Sequence, residues 1–296
     1  MKNSSLSRIN FFGHESPPTT TRDSSVLPEI GSPLAPSIEE IRNGLHRREF
    51  IAYYQPKLSL LNGSLAGAEV LARWDHPQRG LLAPGMFLPG VFQDNLLPAL
   101  FSQIFEQGLR LNQSLSALSM PVELAFNLQP EQLSCPRFST LISTWLSEYR
   151  CPPTHIMFEI TETGSIHLPT ISLRNLLQLR LAGCGLSMDD FGTGFSSLER
   201  LCDLPFNQLK LDGSFVRKLE ANPACRAVVE NTVRLASTLG LSLVVEGVET
   251  PAQLQQLKAL GCTLVQGFAI ARPMPEAHFI SYCLHNASLR RPSFSA

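Results

Sequence analysis

Short apolar runs alternate with longer amphipathic stretches along most of this chain. Eight runs read as strands: FIAYYQPKLSLL (50–61), LAGAEVLARW (65–74), VELAFNL (122–128), HIMFEIT (155–161), GLSMDDF (185–191), FNQLKLD (206–212), LSLVVEGV (241–248) and CTLVQGF (262–268). Between them lie LLPALFSQIFEQGLRLN, FSTLISTWLSEY, TISLRNLLQLRLAG, AVVENTVRLASTLG and AQLQQLKALG. Their apolar residues keep helical spacing, and several end in Gly, a common helix stop. Ordered structure is predicted to begin at Ser37, where SIEEIRNGLHRREF offers a serine N-cap with Glu40 three residues on. Eight strands alternating with helices over roughly 250 residues predict an α/β fold of the TIM-type (β/α)8 barrel class. An open doubly wound sheet has the same periodicity.

Polar residues fall where packing residues belong. Glu69 and Arg73 stand four apart in the second strand and share a face of its pleat. Asn127 follows LAF, Glu159 follows IMF, Asp189 and Asp190 follow LSM, Glu246 follows LVV, and Gln266 follows LV. Lys210 and Asp212 are two apart, again on one face. Any one of these alone reads as a helix cap, a solvated loop residue or an ion pair at a barrel end. As a set they point to chemistry, because the C-terminal strand ends of a parallel barrel gather at one rim, where active sites sit.

Gathering Glu69, Glu159, Asp189, Asp190 and Glu246 without counter-charge is costly, and divalent cations relieve the cost. The donors are carboxylates and one amide, with no recurring His or Cys, which favours Mg²⁺ or Mn²⁺ over zinc or copper. So many carboxylates suit two ions that share a bridging Asp. Asp189 ends its strand facing in, whereas Asp190 faces out if the strand stays regular; Gly192-Thr193-Gly194 gives the backbone freedom to bring both to the rim. Arg73 is placed to clamp a phosphate oxygen, Lys210 to acidify or deprotonate a water, and Asp212 to orient Lys210. Two metals, an arginine and a lysine point to phosphodiester hydrolysis by a metal-activated water.

Composition narrows the class. The chain has 296 residues, 44% hydrophobic and 17% charged, with a formal net charge of −1, so bulk electrostatics advertise neither nucleic acid nor an acidic membrane. Its seven cysteines are odd in number and form no C-x-x-C pair, which argues against a disulfide framework or structural zinc and for a reducing, cytoplasmic location. No apolar run is long enough for a membrane span, and the N-terminus lacks a signal-peptide core. Residues 1–36 are rich in Ser, Thr and Pro and read as a disordered tail, residues 37–285 as the barrel, and residues 286–296 as a C-terminal tail.

YYQPKLSLLNGSLAGAEVLARWDHP, AFNLQPEQL, FEITET, SMDDFGTGFSSL, QLKLDGSFV, VVEGVET and VQGFAIARPM fall in the order of an EAL domain. The chain resembles the cyclic-di-GMP phosphodiesterases of that family over about residues 38–285. The resemblance implies a barrel whose first strand runs antiparallel to the others. It implies metal binding by Glu69, Asn127 and Glu159, bridging of two ions by Asp189, and service of the second ion by Asp190, with Glu246 helping to hold the site. Lys210, supported by Asp212, matches the residue that positions or deprotonates the attacking water, and Gln266 a glutamine near that water. Arg73 is implied at the substrate phosphate, with Gln55 and Asp212 also on the substrate side. Glu162 matches a glutamate that steadies the loop after DDFGTG, and Glu249 also matches. The implied reaction opens one phosphodiester of cyclic-di-GMP to give linear pGpG.

Three stretches depart from the pattern: the name motif is Glu-Val-Leu, Gln129 replaces a common serine, and PGMFLPGVFQDNLLPAL (84–100) lacks the usual acidic pair. Gly90, Val91 and Gln93 in that last stretch bear on substrate fit or partner contacts more than on metal binding. The alternative to an enzyme is a non-catalytic effector of the same fold that binds the dinucleotide or a protein such as a transcription regulator. A homodimer is expected through SSLERLCDLPF and the next helix.

Overall fold

The computed structural model describes residues 35–161, 168–193 and 197–288. Among the described residues, ten strands form one sheet: β1 Phe50–Ser59, β2 Leu65–His76, β3 Gly80–Leu82, β4 Glu123–Asn127, β5 Ile156–Thr161, β6 Gly185–Phe191, β7 Gln208–Leu211, β8 Ser242–Val245, β9 Leu264–Gln266 and β10 Met274–Pro275. The helices are α1 Ile38–His46, α2 Pro84–Gln93, α3 Leu97–Ala117, α4 Pro130–Leu133, α5 Phe138–Glu148, α6 Thr170–Ala182, α7 Ser197–Asp203, α8 Gly213–Arg217, α9 Pro223–Leu239, α10 Pro251–Ala259 and α11 Glu276–Ser288.

Eight strands close into a ring in the order β1-β2-β4-β5-β6-β7-β8-β9, and β9 returns to β1. β1 runs antiparallel to both its neighbours, and every other pairing in the ring is parallel. The barrel is therefore the expected one, closed rather than open, with its first strand reversed. The eight predicted strands are these ring strands. β3 and β10 escape the pattern because three and two residues are too few to alternate.

Why these segments fold this way is mostly local. Ser37 and Glu40 exchange hydrogen bonds, Ser37 N–H to Glu40 Oε2 at 2.7 Å and Glu40 N–H to Ser37 Oγ at 3.2 Å, so the predicted capping box starts α1. Gly183 and Gly240 end α6 and α9 in the left-handed conformation. Outward-facing strand residues such as Leu124, Phe158, Leu186, Leu209 and Val245 are buried beneath the helices, while the inward-facing alternates carry the polar side chains described below. All seven cysteines are free thiols, six of them buried.

Two expectations change. The 84–100 stretch begins with a helix, α2, that its prolines and glycines conceal in the sequence. Phe87 and Val91 are fully buried, and a Cβ at Gly90 would come 2.5 Å from Ile41 Cδ1. Gly90 and Val91 thus serve the packing of α2 on α1, and Gln93 is exposed at the helix end. The barrel unit also extends past 285: α11 runs to Ser288, and Asn286 accepts from Leu65 N–H at 3.0 Å. The expected tail at 1–36 lies outside the described residues except for its last two.

Behind the C-terminal ends of β7 and β8, Gly213 and Gly247 meet back to back. A Cβ on Gly247 would lie 2.7 Å from Gly213 Cα, and Gly247 holds φ at +63°. Gly63, at φ +68°, has open space around it. Gly247→Ala is therefore expected to destabilise by about 3 kcal/mol, clash added to backbone strain, and Gly63→Ala by about 1 kcal/mol from strain alone. Urea unfolding of the two variants checks the difference; equal losses would contradict it.

Candidate active site

The polar strand ends converge on one lysine. Lys210 is the last inward-facing residue of β7 and is 1% exposed. Its Nζ lies 2.7 Å from Glu159 Oε2, 2.7 Å from Glu246 Oε1, 3.1 Å from Asp189 Oδ1 and 3.5 Å from Glu69 Oε2. These carboxylates come from β5, the end of β8, β6 and β2, so the convergence follows from strand order and alternation. Glu69 is gripped from two further sides: Asn127 Nδ2 donates to its Oε1 at 3.0 Å, and Gln266 Nε2 to its Oε2 at 2.7 Å. Gln266 also donates to Gln55 Oε1 at 3.2 Å, and Gln55 Nε2 donates to the Ala271 carbonyl at 3.2 Å.

Both aspartates reach the rim, by a different turn from the one expected. Asp190 itself takes the left-handed conformation, φ +57°, and the β6–β7 register shifts between Met188 and Phe191. Aspartate is one of the few residues other than glycine that tolerates this region. The bulge cancels the strand alternation and places Asp189, Asp190 and Glu246 ligand atoms within 4.8 Å of one another. Gly192 follows the turn at φ +96°, and Gly194 lies outside the described residues.

The electrostatics record an acidic excess. Burial pushes the Glu159 carboxyl up to about 7; Lys210 and Lys57 pull it down, while Glu69 and Asp189 raise it. Burial likewise pushes Glu246 up to about 8 despite Lys210, with Asp189, Glu69 and Glu159 adding to the rise. Glu69 is also raised by burial, but Lys210, Asn127, Gln266 and Lys57 more than offset this and hold it below the usual range. Burial pulls Lys210 down, yet its carboxylates win and hold it well above an ordinary lysine. In this state Lys210 is a firmly held ammonium, because four carboxylates stabilise its proton.

These residues fit hard divalent cations. Glu159 Oε1 is buried without a hydrogen-bond partner among the described residues, the donors are all oxygen, and two carboxyls hold protons near neutrality that a cation can replace.

Other predicted residues stand elsewhere. Asp212 caps α8, its Oδ1 accepting from Ser214 N–H at 2.9 Å, and it is not among Lys210's ion-pair partners; the strand ends at Leu211, so alternation no longer carries Asp212 inward. Arg73 is half-buried farther up β2, its Nη1 donating to the Ala72 carbonyl at 2.8 Å and its guanidinium 5.6 Å from the Tyr53 ring centre. Glu249 is exposed, and it is its backbone N–H that donates to Gln253 Oε1, at 2.7 Å. Glu162 lies outside the described residues. Gln129, the departure beside Asn127, starts α4 and donates its N–H to Gln132 Oε1 at 3.1 Å.

Sequence reasoning missed Lys57, a second buried lysine whose Nζ lies 3.5 Å from Glu159 Oε1. The signal was present in the Gln55–Lys57 alternation of β1, which puts both residues on one face.

The family model described as EAL domain matches residues 38–273. Cyclic di-GMP phosphodiesterase RocR of Pseudomonas aeruginosa is 52% identical over 248 residues, covering 84% of this chain and 63% of RocR. The bifunctional diguanylate cyclase/cyclic di-GMP phosphodiesterase MucR of the same organism is 36% identical, covering 82% of this chain and 36% of MucR. Among solved structures, the PaMucR phosphodiesterase in its c-di-GMP complex superposes with a TM-score of 0.77 at 37% identity, covering 82% of this chain and 98% of that one. The chain thus spans less than two thirds of the length of RocR and of MucR.

The raised acids give a pH dependence with a definite sign. Unfolded glutamates ionise near 4.5, whereas Glu159 and Glu246 hold protons to about 7 and 8 in the fold. Their contribution is present in full below 4.5 and is lost as pH rises through 7 and 8. In EDTA the protein is expected to lose on the order of a few kcal/mol between pH 6 and 8.5. Excess Mg²⁺, which replaces those protons, is expected to remove most of the loss. Denaturant midpoints at the two pH values check this; equal or greater stability at pH 8.5 in EDTA would contradict it.

Proposed function

The chain belongs to the EAL domain family, and from that premise we propose that it hydrolyses cyclic-di-GMP to linear pGpG and so lowers the level of that second messenger. The observation that carries the proposal is the acidic mouth: four carboxylates close on Lys210, Asn127 and Gln266 hold Glu69, and the ligand atoms of Asp190 stand within 4.8 Å of those of Asp189 and Glu246. The relatives named phosphodiesterases, RocR and MucR, supply the substrate.

Glu69, Asn127, Glu159, Asp189, Asp190 and Glu246 would hold two Mg²⁺ or Mn²⁺ ions, which supply Lewis-acid stabilisation of phosphate charge and acidify a water. The protein's own groups do the rest. Asn127 and Gln266 fix the Glu69 carboxylate, and Gln55 braces Gln266. Lys210 keeps four carboxylates turned toward one point, and with cations engaging those carboxylates it would position the attacking water or take its proton. Arg73, at the lip, meets a phosphate oxygen, and its neighbour Tyr53 limits its swing. Asp212, at the start of α8, takes part on the substrate side, and Glu162 and Glu249 support the surrounding loops. Water's oxygen joins phosphorus, the ribose O3′ leaves with a proton, and one ring bond opens.

We infer a cytoplasmic location from the proposed substrate. Separately, no helix among the described residues is long and apolar enough to cross a membrane. A homodimer through 196–206 and α8 is supported by α7, where Leu198 is 59% exposed and Cys202 is also exposed.

Three outcomes are expected. Purified protein with Mg²⁺ or Mn²⁺ converts cyclic-di-GMP to pGpG by chromatography, and Glu69→Ala lowers the rate about 10³-fold or more. Intact substrate under both metals would overturn the reading, and tight binding without turnover would replace it with the effector. Arg73→Ala raises KM about tenfold with a smaller change in kcat, which steady-state kinetics separates. Sedimentation at micromolar concentration gives a dimer that Leu198→Glu dissociates; a monomeric wild type would remove that interface.

A further inference from the structure

Lys57 has no place in the assignments above, yet it is among the most enclosed charges in the molecule. It lies on the inward face of β1 at 2% exposure, with Gln266 and Gly67 as its register partners on β9 and β2. Because β1 is reversed, stepping from Gln55 to Lys57 moves down the barrel, away from the mouth. Lys57 Nζ stands 3.5 Å from Glu159 Oε1 and 3.5 Å from Glu123 Oε1. Neither contact is an oriented hydrogen bond: Lys57 Nζ and Glu159 Oε1 both lack a hydrogen-bond partner among the described residues. Lys210, by contrast, donates to the other oxygen of Glu159 at 2.7 Å. Lys57 therefore acts on Glu159 through charge, and Lys210 through charge and direction.

The surrounding chain makes room for this ammonium. A Cβ at Gly67 would stand 3.4 Å from Lys57 Cε and 2.9 Å from the Glu123 carbonyl oxygen. A methionine of similar length would fill the same space without the cost of burying a charge, so packing alone gives no reason for a lysine.

We propose that Lys57 is a resident counter-cation beneath the mouth that lowers the site's affinity for divalent cations. The inference rests on the metal site proposed above and adds a tuning residue to it. Five acids at the rim face two fixed cations, Lys57 and Lys210. Lys210 is enclosed by the carboxylates themselves, so Lys57 is the charge that can be removed while their grip on Lys210 remains. Its positive field opposes an incoming dication, and neutralising it leaves a stronger attraction. Lys57 touches no substrate, and its role is exerted through Glu159.

The test is a calorimetric Mn²⁺ titration of the full chain, wild type against Lys57→Gln, Lys57→Met and Lys57→Arg, with folding checked by circular dichroism. The two neutral variants are expected to bind Mn²⁺ about tenfold tighter, and Lys57→Arg to stay within about threefold of wild type. Unchanged or weaker binding in a folded neutral variant would overturn the proposal. So would failure of both neutral variants to fold, which would make Lys57 a structural residue. A wild type that takes up no Mn²⁺ would overturn the metal site itself, a result distinct from a wild type that binds while its variants bind no tighter.

Discussion

The contact of Lys210 with four carboxylates is the constraint on which the rest of the site depends. Glu69, Glu159, Asp189 and Glu246 arrive from four different places around the ring, on or just after β2, β5, β6 and β8, and would repel one another without it. One ammonium cannot neutralise them, and the shortfall appears as protons held on Glu159 and Glu246 near neutral pH. An interior that retains protons on acids at pH 7 is prepared to exchange them for a cation of higher charge. Stability and chemistry are thus set by the same groups, and the metal-free protein bears the cost of a site arranged for charge it does not itself supply.

The closed ring makes such convergence possible. A parallel strand delivers one inward side chain to the rim, and seven parallel strands deliver the acids, the amides and the lysine. The reversed β1 contributes differently. Its Gln55 meets Gln266 at rim level, and its Lys57 sits one layer lower, under Glu159. The irregular elements are as purposeful as the regular ones: the left-handed Asp190 breaks alternation so that consecutive aspartates share one destination.

Much of this was legible in the residues. Asn127, Glu159, Asp189, Lys210, Glu246 and Gln266 stood out because each is polar at or beside the end of an apolar strand, where barrels place chemistry, and Glu69 because it shares a face of β2 with Arg73. Asp190 was legible as a partner, but the turn that delivers it was not, since nothing in the sequence marks a left-handed aspartate before the glycine. Lys57 is hidden in the sequence because β1 runs opposite to the other ring strands, so its rim-side residues lie toward its N-terminal end and not at its C-terminus. Asp212 misled for a related reason: a period of two extended past Leu211 puts it inward, whereas the strand has already given way to the cap of α8. α2 was masked by its own Pro89 and Gly90, residues that punctuate most chains and here allow close packing on Ile41.

The account stands or falls on cations at that rim. Anomalous diffraction from crystals grown with Mn²⁺ and a non-hydrolysable cyclic dinucleotide tests it most directly. The result expected is two manganese peaks among Glu69, Asn127, Glu159, Asp189, Asp190 and Glu246, with Lys210 still beside them. A mouth free of anomalous signal in such crystals, its acids still closed around Lys210 alone, would contradict it.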